Sequence, residues 1–100
     1  MSKFLFSKKN FVVLQSKNGY IVYNKNKLWE NGHTHVTSIK ICRTLIDLVI
    51  NQKIPNSNDI WLYESILRIT SNSQKEYKRK IISKMDSIIL DKLKNKIAKI

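Results

Sequence analysis

One cysteine, Cys42, one proline, Pro55, and two glycines are all that this 100-residue chain contains of these types. A lone cysteine excludes an intrachain disulfide, a Cys-x-x-Cys redox pair and the cysteine framework of small secreted domains, so a reducing, cytoplasmic setting is expected. Two glycines leave little material for loops that cradle phosphates, and no P-loop, dinucleotide motif or Ser/Cys-His-Asp arrangement is present. Neither catalysis nor a cofactor is expected. No apolar run approaches the ~20 residues of a membrane span. Phe4-Leu5-Phe6 is closed off at once by Ser7-Lys8-Lys9-Asn10 and is too short for a signal-peptide core.

Acidic residues are also scarce: seven Asp and Glu against 19 Lys and Arg leave a net charge of +12. Such a field raises the local concentration of phosphates, acidic proteins or anionic head groups. Lys, Ile and Asn are abundant and share A/T-rich codons, so part of the lysine excess is what an A/T-rich genome would produce. Such a genome does not account for the shortage of acids. Arg, the usual bidentate reader of guanine edges, occurs only three times against 16 Lys, which directs any nucleic-acid contact to the backbone rather than to sequence.

What the chain does contain is enough apolar material, 42% of residues spread along its length, for one core. A single domain over 1–100 is expected, mainly β over 1–37 and mainly α over 38–100. Phe11-Val12-Val13-Leu14-Gln15 and Tyr20-Ile21-Val22-Tyr23-Asn24 flank Asn18-Gly19, a hairpin signal with the residues of a type I′ turn. Phe4–Phe6 can add an edge strand. Leu28-Trp29-Glu30 reads as a further short strand, and His33–Val36 can pair with the sheet. From Ser38 the period becomes helical, with Lys40, Arg43, Thr44, Asp47 and Asn51 on a polar stripe and Thr37 or Ser38 as cap. Pro55 ends that helix. A second helix is expected at about 59–70, with Leu62, Tyr63, Ile66 and Ile69 or Thr70 inward. The Ser73-Gln74-Lys75-Glu76 capping box starts a third near 74. The predicted class is therefore α+β, an N-terminal antiparallel hairpin or small meander followed by three helices, the last long and basic. At ~25 residues and ~38 Å, that last helix is longer than the remainder can cover, so part of it projects or meets a partner.

Two places can carry binding. The first is Gly32-His33-Thr34-His35-Val36-Thr37-Ser38, where a strand sends both imidazoles to one face. With His33, Thr34, His35 and Lys40 around a helix N-terminus, this segment can hold a phosphate or carboxylate. The bland alternative is that the hydroxyls cap the helix and the histidines pack at the sheet edge. No metal is expected, because the companions Glu30, Cys42 and Asp47 lie on separate segments without a ligand pattern. The second place is the last helix, where Lys75, Lys78, Arg79, Lys80 and Lys84, followed by Lys92, Lys94, Lys96 and Lys99, face only Glu76, Asp86 and Asp91. These side chains either track a phosphate backbone or form an ordinary solvated face. Trp29 and Trp61 are expected as core or rim anchors before stacking platforms.

The function expected from these features is that of a small non-enzymatic basic protein that contacts nucleic acid or a nucleoprotein through its phosphate backbone. A second class is a protein-interaction module or inhibitor from a phage or other mobile element, comparable to anti-CRISPR proteins in size and in lack of catalytic motifs, acting on a larger nucleic-acid-handling machine. A third is a histidine-dependent phosphodiesterase or metal site, although His-x-Thr occurs once where two-histidine phosphoesterases need it twice. Exposed Leu90 and Ile100 on the final helix make a homodimer one possible assembly.

Overall fold

A computed structural model of the chain describes residues 2–98. Lys99 and Ile100, the last members of the expected basic and apolar stripes, lie outside the described residues. The first third forms one antiparallel sheet of four strands in chain order, β1 (Lys3–Lys8), β2 (Phe11–Ser16), β3 (Gly19–Asn24) and β4 (His33–Val36). A single helical turn, α1 (Trp29–Gly32), joins β3 to β4, and three helices follow: α2 (Ile39–Ile50), α3 (Ile60–Ile69) and α4 (Lys75–Ala98). The architecture is α+β as the sequence predicts, with four helices in place of three.

The added helix is α1, which takes in the Trp29 and Glu30 expected to lie in a strand. Distant contacts override the local pattern there. The Arg68 side chain donates to the carbonyls of Glu30 at 2.8 Å and His33 at 2.7 Å. Gly32 is buried so close to the preceding loop that a Cβ on it would come within 2.6 Å of the Lys27 Cβ. The β2–β3 turn also differs from expectation. Ser16 pairs with Gly19, so Lys17 and Asn18 are the central residues, and neither has the positive φ that a type I′ turn requires. Gly19 itself carries φ 153°, and a Cβ on it would stand 2.8 Å from the Val36 carbonyl oxygen. Glycine is thus needed at the edge of the turn, where β3 approaches β4.

Strand alternation separates two faces. Phe11, Val13, Val22, Thr34 and Val36 point inward, where α2 contributes Cys42, Leu45, Ile46 and Val49, α3 Tyr63, Ile66 and Ile69, and α4 Tyr77, Ile81 and Ile88. A register shift between Phe4 and Phe6 marks a bulge, which lets Leu5 and Phe6 both pack against this core. Each fully buried aliphatic side chain contributes about 1.5–3 kcal/mol relative to exposure. The polar stripe predicted for α2 is exposed throughout, and Ser38 Oγ accepts from the Ile41 N–H as its cap. In α3 the cap is Asp59, which accepts from the Trp61 N–H at 3.0 Å. The capping box before α4 does not form, because the Glu76 carboxylate pairs with Arg79 instead.

One buried polar residue ties the layers together. Asn24 donates from Nδ2 to the Ile69 carbonyl and to Ser71 Oγ, both at 2.9 Å, and accepts at Oδ1 from Asn10 Nδ2 at 2.7 Å and the Asn26 N–H at 2.8 Å. Its full side-chain capacity is used, so its burial costs no unmade hydrogen bond. Tyr77 plays a similar part for α4, donating to the Lys53 carbonyl at 2.8 Å beyond the end of α2. After Ile88 the helix leaves the globule, and every residue from Ile89 to Ile97 is exposed.

Candidate nucleic-acid interface

The residues singled out around the histidines do not share one site. Thr34 points inward and donates to Ser65 Oγ at 2.9 Å, joining β4 to α3 within the core. His33 and His35, one residue to either side, face the opposite side of the sheet. Lys40 is exposed on the first turn of α2. Of the proposed metal companions, Cys42 is buried in the core, with burial pushing its thiol up to about 11. Asp47 is paired with Lys8 at 2.9 Å. Among the described residues no three His, Cys, Asp or Glu side chains converge as metal ligands.

What the fold assembles around His33 is an aromatic array. The His33 ring stacks on the Trp29 indole with centroids 4.2 Å apart and planes 9° from parallel. Tyr23 meets the indole edge-on at 5.0 Å, and His35 meets His33 edge-on at 5.2 Å. The cause is local: α1 turns the chain by one helical turn, so that Trp29 lies over the first residue of β4. His33 Nδ1 contacts the Trp29 carbonyl oxygen, an acceptor, so this nitrogen carries a proton and donates it there. Tyr23 Oη donates to the Lys27 carbonyl at 2.7 Å and fixes the loop before α1.

Beside this array three cations gather from separate elements. Lys27 Nζ donates to the Arg68 carbonyl at 2.8 Å, and Lys78 comes in from the first turn of α4, donating to Asn72 Oδ1 at 3.0 Å. Burial, together with the charges of Lys78 and Arg68, holds the Lys27 ammonium below its ordinary range. Neither ion pair between described residues includes any of the three. A groove of about 250 Å³ runs between β4 and α3, lined by His33, Thr34, His35, Trp61, Glu64, Ser65 and Arg68. Glu64 is the one acid on it.

The remaining α4 cations encircle the helix. At about 100° per residue, Lys80 and Lys84 flank one side of the buried Tyr77–Ile81–Ile88 stripe, Lys78 the other, while Lys75 and Arg79 point away. Arg79 is bound to Glu76 through two hydrogen bonds, one of 3.1 Å, and these hold the Glu76 carboxyl below its usual range. Lys92 Nζ donates to the Asn58 carbonyl at 3.2 Å.

Sequence reasoning found His33, His35 and Lys78 but passed over Lys27, Arg68 and Tyr23. Their significance arises from contacts 35 to 41 residues apart, such as Arg68 to His33 and Lys27 to Arg68, which no spacing rule reveals. The chain matches no protein-family model, no curated protein and no solved structure. No helix among the described residues is long and apolar enough to cross a membrane.

Proposed function

We propose that this chain is a non-enzymatic nucleic-acid-binding protein that holds the phosphate backbone. The observation that carries the reading is the convergence of Lys27, Arg68 and Lys78 beside an exposed aromatic array in a chain of net charge +12. Three cations outside the ion pairs between described residues are well placed to be neutralised by phosphates, and the ordering of Lys27 and Arg68 by backbone contacts lowers the entropy lost on binding. Lys75, Lys80 and Lys84 on α4 extend the positive field. Arg79 contributes less while Glu76 holds it.

Salt titration against duplex DNA and RNA tests this reading. Affinity is expected to fall steeply with salt, and Lys27→Gln with Lys78→Gln to reduce the log–log slope by about 0.7–0.9 for each phosphate left without its lysine. Absence of binding at low salt would sink the proposal.

A second reading rests on a different feature. Ile89, Leu90, Leu93 and Ile97 are all exposed on the projecting half of α4, as a protein-interaction module or homodimer requires. Light scattering across a concentration series reads out the homodimer directly, and Leu93→Lys is expected to abolish any such association. Capture of a stoichiometric protein partner that survives nuclease treatment would favour this reading over the first.

A further inference from the structure

The outer face of the sheet, away from the helices, is apolar where a two-layer fold needs only polar side chains. Two cross-strand rows follow from the register. One runs Phe4, Leu14, Ile21 and His35; the other runs Ser7, Val12, Tyr23 and His33 and ends against Trp29. Phe4 is 59% exposed and Trp29 42%. The indole has one face on His33 and lies at 62° to the Tyr23 ring, and much of it is still open to solvent. Charge indicates what this surface meets: residues 2–36 hold six lysines and a single acid, Glu30. Lys3 and Lys17 lie at one end of the strands, Lys9, Lys25 and Lys27 at the other, where Lys8 is held by Asp47.

We propose that this outer face is a stacking platform for unpaired bases, so that the ligand is single-stranded nucleic acid whose bases lie on Trp29 and Phe4 while its phosphates meet the lysines at the strand ends. The inference rests on the nucleic-acid reading above and narrows it. An occupant must combine flat apolar faces with negative charge. A duplex hides its base faces within its own stack, whereas an unpaired strand presents both at once. Four strands about 4.8 Å apart span roughly 14 Å, room for two or three splayed bases.

The test uses the full chain with three fluorescein-labelled probes: a single strand of about 12 nucleotides, its duplex, and an abasic strand of equal length. The intact strand is expected to bind at least about tenfold more tightly than the other two. Trp29→Ala and Phe4→Ala should each weaken it by about five- to a hundredfold without changing the salt slope, and Trp29→Phe should retain most of the affinity. In a Trp61→Phe background, the intact strand should quench Trp29 fluorescence and the abasic strand should not. Phe4→Ala keeps the test decisive if Trp29→Ala proves unfolded by circular dichroism. Equal affinity for all three probes, with both alanine variants unaffected, would overturn the platform and leave backbone binding standing. No binding by any probe at low salt would overturn both. Self-association through this face, lost on Phe4→Ala and without any fluorescence response to the strand, would show that a second copy occupies it.

Discussion

The two faces of the sheet are built from similar residues and meet different fates. On β3, Val22 points inward beneath α2 and α3, whereas its neighbour Ile21 is also buried but lies outside that core, between its cross-strand neighbours Leu14 and His35. The inner face sets stability because each side chain there meets helix side chains. The outer face contributes mainly through neighbours within one layer, which leaves Phe4 and Trp29 available to other molecules.

Substitutions that cut into the inner layer are expected to have the largest effect. Ile66→Ala, at a fully buried site, is expected to cost about 2–5 kcal/mol in urea unfolding. Asn24→Ala follows at about 1–3 kcal/mol, since it strands its partners in the β1–β2 turn, in the loop after β3 and at the end of α3. Removing the Tyr77 hydroxyl by Tyr77→Phe should cost about 0.5–1.5 kcal/mol. Phe4→Ser on the outer face is expected to change stability by less than about 0.5 kcal/mol. A comparable destabilisation by Phe4→Ser and Ile66→Ala would abolish the distinction between the faces.

Alkaline titration sharpens the same contrast. Burial raises Cys42 from 9.0 to about 11 and Tyr77 from 10.0 to about 12. The folded state therefore holds these protons more tightly than the unfolded state. Their contribution is fully present below pH 9 and is lost as pH rises through 9–11 for Cys42 and 10–12 for Tyr77. Thermal denaturation at stepped pH should show the decline, and Cys42→Ala should remove the earlier part of it.

Much of the scaffold was legible from pattern alone. The polar stripe of α2, the inward set of α3, the hairpin and the projection of α4 all follow from periodicity and length. The faces of the sheet were not legible, because Phe11-Val12-Val13-Leu14 and Tyr20-Ile21-Val22-Tyr23 are apolar at consecutive positions and alternation has nothing to mark. The α1 turn was hidden for another reason: Trp29 is held by Tyr23 and His33, and Arg68 reaches from α3 to the carbonyls of Glu30 and His33. For the candidate site, the pattern located the histidines and Lys78 and missed Lys27 and Arg68, since the three cations meet only after folding.

The half of α4 beyond Ile88 keeps its helical form with little packing to enforce it. Among the described residues its last hydrogen bond to the globule runs from Lys92 to the Asn58 carbonyl. Past that point the segment is governed by a helix–coil equilibrium of its own, relaxing in about 0.1–1 μs, far faster than global unfolding. Amide exchange should therefore be graded along a single helix, slow around Ile81 and close to the free-peptide rate near Ile97. Trypsin acting at Lys94 and Lys96 should trim the chain long before it opens the sheet.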